Sequence, residues 1–399
     1  MAQHARINRL PEEILVYIFK HFVDLHECPV IGILLFVCRY WCDVVENTPL
    51  LWSRIAIYPK QGECNYEVLV KYIDKALEKS RNLPVDVWVN YSQMTTESDP
   101  PSSSIGSPSG LLNRLVGEDG NGMVRWRTFS LEVKRALNLE DGVWESFGPK
   151  APILQDLYLH IPRMCPWSCA LPSLRRLALD ADGDMDEGHF GGLELDPTRL
   201  DTLYFRLWGD ISVLEPFSNL RDLTIDNFIQ DEYDGNQNEV HMDCLECFTI
   251  QWLYGYDLPV EMIQRLQVPS LNTLRLLGSM ATMLILDATC FPHVRDLHIL
   301  VEKVEAIRKE IMHTPFVESK LERYNLLEDL VVAPWHIDAT IEALRNLRTK
   351  NEGPKSLRSL KSLVRDKKGK DIVDDASFAI VVVPWRSTAD FTYDIHDVV

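Results

Sequence analysis

Apolar positions along the first sixty residues follow a helical rhythm. Ile14, Leu15, Ile18, Phe19 and Phe22 fall at i, i+1, i+4, i+5 and i+8, which predicts a helix with an apolar stripe wide enough for two neighbours. Leu10-Pro11 marks its start, because proline has no N–H to lose in a first turn, and Glu12 and Glu13 follow where the helix dipole favours carboxylates. Val30 to Trp41 runs almost wholly apolar, with Arg39 its only charge, and reads as a second, heavily buried helix. Asn47-Thr48-Pro49 breaks the chain before Leu50-Leu51-Trp52 and a strand-like Ser53 to Ile57. Trp52 is an anchor candidate, since a tryptophan removes a large apolar area from water wherever it lands. Between Ile7 and Ile57 there are more apolar side chains than three short helices can hide, so part of this surface is expected to meet a partner.

Further on the period changes. Tyr66 to Lys79 reads as an amphipathic helix, and Val85, Val87 and Val89 alternate with Asp86, Trp88 and Asn90 as in a strand. Ser92 to Gly110 holds seven serines, three prolines and two glycines, and is expected to be a mobile loop. From Trp126-x-x-Phe129-x-Leu131 onward one pattern recurs. Copies begin at Leu154, Leu174, Leu200, Leu220, Leu245, Leu271, Val294 and Leu327, at intervals of 20 to 33 residues. Such a unit is a short strand plus a return segment, and it closes its core only by stacking on its neighbours. Pro172, Pro197, Pro269 and Pro292 stand just ahead of strands, where proline ends a helix and favours extended backbone. Val260–Leu266, Val304–Met312 and Ile337–Leu347 carry helix-spaced apolar residues suited to the returns. Ala379 to Val383 reads as a last strand.

Two resemblances emerge. Leu10-Pro11-Glu12-Glu13-Ile14-Leu15, Ile18-Phe19, Val37-Cys38-Arg39-Tyr40-Trp41 and Pro49-Leu50-Leu51-Trp52 together resemble an F-box, the three-helix module that docks Skp-family adaptors in cullin-type ubiquitin ligases. The segment is similar to fungal F-box-like domains, with a longer first connection, His21 to Ile33. The second half resembles a leucine-rich-repeat domain. It departs from one where asparagine or cysteine is usual, at Pro162, Asp182, Trp208, Phe228, Leu253, Ser279, Glu302 and Trp335, so an irregular arc is expected.

The resemblances imply an α/β (α+β) fold: a three-helix F-box over residues 1–58, then an irregular leucine-rich-repeat-like solenoid of parallel strands and helices over 124–385. Between them lie a linker helix and first strand (59–91) and a mobile loop (92–123); a tail covers 386–399. They imply a non-catalytic substrate-recognition adaptor of a Skp/cullin/F-box ubiquitin ligase. Its F-box would dock the Skp-family adaptor, and through it a cullin, by groups drawn from Leu10, Pro11, Ile14, Leu15, Ile18, Val37, Trp41, Leu51 and Trp52, some of which must form internal core instead. The repeats would bind an unknown protein target. A scaffold that uses the F-box without ubiquitin transfer is the alternative.

Composition narrows the picture. A net charge of −18 argues against a chain built as a whole to bind nucleic acid or anionic membrane. The longest apolar run, Val30 to Cys38, is too short to cross a bilayer, and Met1 to Arg9 is too polar for a signal peptide, so a cytoplasmic or nuclear protein is expected. Nine scattered cysteines then read as reduced core thiols. Cys244 and Cys247 have the gap of a zinc knuckle but no second pair comes after them, and the acidic run Asp180 to Glu187 lacks the glycine and final glutamate of a calcium loop. No phosphate-loop, zincin or dinucleotide motif is present, so neither metal nor cofactor is expected. The one basic concentration, Arg345 to Lys370, reads as a solvated helix face with a flexible loop, the alternative being a site for an acidic or phosphorylated partner segment.

Overall fold

A computed structural model of the chain describes residues 10–25, 31–59, 65–92, 94, 107–133, 144, 146–161, 168–181, 193–208, 211–229, 239–252, 263–278, 291, 293–301, 321, 324, 326–332, 337–350, 359–364 and 379–384. The chain divides into two compact units, Met1–Leu200 and Asp201–Val399, so the expected repeat region is shared between both. The fold is α/β, with parallel strands and connecting helices.

The first unit opens with α1 (Glu12–Leu25), α2 (Ile31–Val37) and α3 (Arg39–Asn47). The Pro11 carbonyl accepts from the Ile14 and Leu15 N–H groups at 3.1 and 3.2 Å, so α1 starts where the proline permits. The single buried helix expected over Val30–Trp41 is two helices instead. Cys38 between them is extended, at φ −163° and ψ 165°, and its carbonyl accepts from the Cys42 N–H at 3.0 Å. The break gives each short helix its own buried side, Ile31 and Leu34 on α2 and Val44 and Val45 on α3. A 3-10 turn, Pro49–Trp52, has proline at its first position and sends Leu51 and Trp52 into the core. Trp52 Nε1 donates to the Val45 carbonyl at 2.8 Å, which satisfies the one polar atom that burial would strand.

Next come β1 (Arg54–Ile57), α4 (Tyr66–Lys79) and β2 (Val85–Asn90). β1 pairs in parallel with β2, β2 with β3 (Trp126–Glu132), and β3 with β4 (Asp156–Ile161). β5 (Cys169–Leu171) pairs with β7 (Leu193–Leu195), and β6 (Arg176–Ala181) continues the main sheet beside β4. Within the stretch expected as a mobile loop, residues 92–123, the chain instead builds α5 (Pro108–Val116). The Ser107 hydroxyl caps it by accepting from the Gly110 N–H at 3.0 Å, and Leu111, Leu112, Leu115 and Val116 are buried. Ser107-Pro108 is therefore a helix start, with proline at its favoured position, rather than more loop.

In the second unit β8 (Thr202–Trp208), β9 (Asp222–Ile229), β11 (Cys247–Trp252), β13 (Thr273–Gly278), β14 (Asp296–Val301), β15 (Asp329–Val332), β16 (Ser359–Val364) and β17 (Ala379–Pro384) pair successively in parallel. A separate pair joins β10 (Val240–His241) to β12 (Leu266–Gln267). α6 (Ile337–Lys350) lies between β15 and β16 in sequence, with Ala343, Leu344 and Leu347 buried. β16 falls inside the basic stretch read as helix face and loop. Its motif, Leu357-x-x-Leu360-x-Ser362, has serine at the third apolar position, which hid it from the repeat pattern.

The recurring leucines are register partners. Phe129, Leu157 and Leu177 align in the first unit, and Leu203, Leu223, Phe248, Leu274, Leu297 and Leu330 align in the second, all buried. Each copy from Leu154 to Leu327 enters its strand by the same turn, in which the first apolar N–H donates to the carbonyl three residues back, as Leu174 does to Leu171 and Leu271 to Val268. Neighbours are then tied by backbone. The Asn272 and Thr273 N–H groups both donate to the Glu246 carbonyl at 2.9 Å, and the Arg295 and Asp296 groups both donate to that of Asn272 at 2.8 and 3.0 Å. These ties need no particular side chain, so the stack dispenses with an asparagine ladder. The Asp182–Glu187 run, the return expected over Val304–Met312, the basic residues from Asn351 onward outside β16, and the tail 386–399 lie outside the described residues, as do residues 260–262 of the return expected over Val260–Leu266, whose last residue opens β12 instead.

Candidate functional site

The three N-terminal helices leave apolar groups open on one side while the other packs. On α1, Leu15, Phe19 and Val23 recur at i, i+4 and i+8 and are buried, whereas Ile14, Tyr17 and Ile18 at i, i+3 and i+4 are exposed, Tyr17 by 73 %. On α2, Ile33, Phe36 and Val37 repeat the exposed spacing, Ile33 by 59 % and Phe36 by 91 %. Tyr40 on α3 and Leu50 in the following turn are also open, and the Tyr40 hydroxyl reaches the Leu10 carbonyl at 3.4 Å. Scattered single apolar residues on a surface are ordinary; two helices of one small module each presenting a spaced triplet are not.

The residues singled out from sequence divide accordingly. Pro11, Ile14, Ile18 and Val37 are exposed, and Leu10 and Trp41 are half-buried, the Trp41 ring resting against Phe19 at 4.6 Å between centroids. Leu15, Leu51 and Trp52 are core and offer nothing to a partner. Tyr17, Ile33, Phe36, Tyr40 and Leu50 are open groups that periodicity alone did not single out. The signal for Tyr17 was its place three residues after Ile14. For Ile33 and Phe36 it was obscured by taking Val30–Trp41 as one buried helix.

Polar ties fix this module to α4 and to the first two strands. Lys75 and Lys79 of α4 both pair with Glu46 of α3, Lys79 at 2.8 Å, and Lys75 also lies 5.1 Å from the Trp52 ring centroid. Burial alone would raise the Glu46 carboxyl, but the two lysines outweigh it and hold the group below its ordinary value. Arg54, at the head of β1, donates to the Asp24 carbonyl of α1 at 2.6 Å and lays its guanidinium over the Trp88 ring of β2 at 4.5 Å. Tyr72 of α4 donates to the Arg54 carbonyl at 3.4 Å; burial pushes its phenol up to about 12, so it remains a donor.

A family model described as F-box-like matches residues 7–58. The N-terminal module is an F-box-like domain. Its last strand, β1, is at the same time the first strand of the unit's parallel sheet. Among curated proteins none matches the chain. The F-box-like domain points in general to an adaptor role in ubiquitin ligation, and such domains generally bind Skp-family adaptors.

The described residues offer little for chemistry of another kind. Burial pushes the Cys169 thiol up to about 12 and the Cys247 thiol to about 11, the latter helped by the Asp222 carboxylate, so both stay protonated. Among the described residues no group of three or more His, Cys, Asp or Glu side chains could hold a metal ion, and no helix is long and apolar enough to cross a membrane.

Proposed function

We propose that this chain is the substrate-recognition subunit of a Skp/cullin/F-box ubiquitin ligase. The observation that carries the reading is the open apolar side of the F-box-like domain, chiefly Ile14, Tyr17, Ile18, Ile33, Phe36 and Val37. Burying those groups against a Skp-family adaptor removes apolar area from water and supplies most of the association energy. Through that adaptor the chain joins a cullin, in the cytoplasm or nucleus. The leucine-rich-repeat-like sheets hold a protein target, and transfer is accelerated by proximity rather than by any catalytic group of this chain. The test is co-purification of the intact chain with a Skp-family adaptor, comparing wild type with Ile14→Glu plus Phe36→Glu. Capture by wild type alone, with both proteins melting alike, is expected; equal capture by both refutes the docking surface. Stabilisation of bound targets by proteasome inhibition is expected of a degradative ligase, and its absence overturns that part of the reading.

A further inference from the structure

Gly32 stands on the open side of α2. Ile31 and Leu34 mark the buried side of this helix, and at about 100° per residue Phe36, Ile33 and Gly32 fall on the opposite one. Gly32 lies one turn before Phe36 and about 40° round from it, so the two are neighbours on the helix surface. A Cβ added to Gly32 meets no atom within 4 Å. Phe36 is 91 % exposed and Ile33 59 %, so neither side chain fills the space over the glycine. The outward face of α2 therefore carries a notch, with a bare Cα as its floor and Phe36 and Ile33 beside it.

Other glycines of the first unit have a reason inside the chain. Gly120 and Gly148 cross backbone against backbone, and Gly122 lies against the Leu115 carbonyl, so a Cβ at any of the three collides. Gly117 and Gly120 also have φ +74°, a conformation that other residues adopt only with strain. Gly32 meets neither condition. It sits in helical backbone with open space around it, where glycine loses more freedom on folding than alanine and weakens the helix. A helix of seven residues has little stability of its own to give up. What glycine offers in return is close approach, because another surface can come nearer to its Cα than to any residue with a side chain.

Resting on the reading that this face docks a Skp-family adaptor, we propose that Gly32 is the point of closest approach: an apolar side chain of the adaptor seats on its bare Cα, against Phe36 and Ile33. The occupant is apolar because the exposed groups around the notch, Ile33, Phe36 and Val37, are hydrocarbon, and the F-box-like match over residues 7–58 points to the adaptor as its source. Gly32 is then a specificity-determining residue. It admits the partner by shape, where its neighbours attract it by area.

The test is isothermal titration of the intact chain with a Skp-family adaptor, beside thermal melts and sedimentation of the chain alone. Gly32→Ala is expected to raise Tm by about 1–2 °C, the low end for an exposed helical glycine because Gly32 lies in the first turn, and to weaken the complex several-fold. Gly32→Leu adds apolar area to the face but overfills the seat, and is expected to weaken the complex at least about tenfold. A face that merely collected apolar area would gain affinity from the leucine. Val68→Leu, an enlargement on the exposed side of α4, leaves affinity unchanged. Affinity at or above wild type in Gly32→Leu, or a Tm that does not rise in Gly32→Ala, overturns the proposal. So does self-association of the chain that Gly32→Leu abolishes, since the notch would then hold a second copy. A wild-type chain that binds no adaptor fails the docking reading itself; one that binds it, with Gly32→Leu binding equally, fails the seat alone.

Discussion

Leu50 and Leu51 are neighbours in one 3-10 turn and lie in opposite environments, 43 % and 1 % exposed. Replacing each by alanine therefore separates packing from docking with the same change of side chain. Leu51 sits in the core with Trp52, and truncating such a leucine costs about 3 kcal/mol, within a range of about 2–5 set by how far the site collapses. For a unit of this size each kcal/mol lowers Tm by about 2–4 °C, so Leu51→Ala is expected to fall by about 6–12 °C. Leu50→Ala leaves no cavity, and its cost stays within about 0.5 kcal/mol, or about 1–2 °C. The assay is a calorimetric or fluorescence melt of the intact chain, followed by titration with a Skp-family adaptor well below both midpoints. Leu50→Ala is expected to weaken the adaptor complex at unchanged stability, Leu51→Ala to lower stability with near-normal affinity. Equal Tm losses, or a loss under about 2 °C for Leu51→Ala, would refute the division between sealed and open residues.

Electrostatics and the backbone ladder lead to three further outcomes. Burial, and then the facing Asp329 carboxylate, push the Asp296 carboxyl above its ordinary value; a raised carboxyl lends stability below about pH 3.9 that is lost as pH rises through its folded value. Asp296→Asn is thus expected to raise stability at pH 7.5 by about 0.2–1 kcal/mol, as relief of a facing like-charge pair does, with the gain shrinking toward pH 4.5 in thermal melts; a constant gain is the contrary result. Glu46 is the opposite case, held low by Lys75 and Lys79, so its contribution is present at neutral pH and lost on acidification. Glu46→Gln should cost under about 1 kcal/mol at pH 7.5 and nothing near pH 3, because the pair is partly exposed, and a cost independent of pH in thermal melts would exclude the pairing as its source. Asn272→Pro removes an N–H that bonds the preceding copy, and a loss of at least about 1 kcal/mol in a denaturant melt is expected, while Ser270→Pro, outside that tie, should cost less.

The order of elements was legible because each rests on a local rule. Leu10-Pro11-Glu12-Glu13 states a helix start, and the spacing of Leu154, Leu157 and Leu159 states a half-buried strand, whatever the rest of the chain does. Where a tertiary choice overrode the local signal, the sequence misled. Val30–Trp41 has no proline or glycine at Cys38 to announce the break, and the break decides that Ile33 and Phe36 face outward. Composition likewise marked Ser107-Pro108 as loop, when the same two residues cap a helix whose leucines are buried. Partition of the docking candidates was beyond periodicity, because Ile14 and Leu15 are both apolar and adjacent, and only the packing of α1 against α3 and the Pro49–Trp52 turn sends one in and leaves the other out.

Isothermal titration of the intact chain with a Skp-family adaptor, against a Tyr17→Ala plus Phe36→Ala variant of matched Tm, bears most directly on the open apolar side. Each ring is worth about 1.5–3 kcal/mol when buried, so the pair is expected to weaken the complex at least a hundredfold. A wild-type chain that shows no heat of binding, or a double variant that binds within twofold of it, would contradict the docking role assigned to α1 and α2.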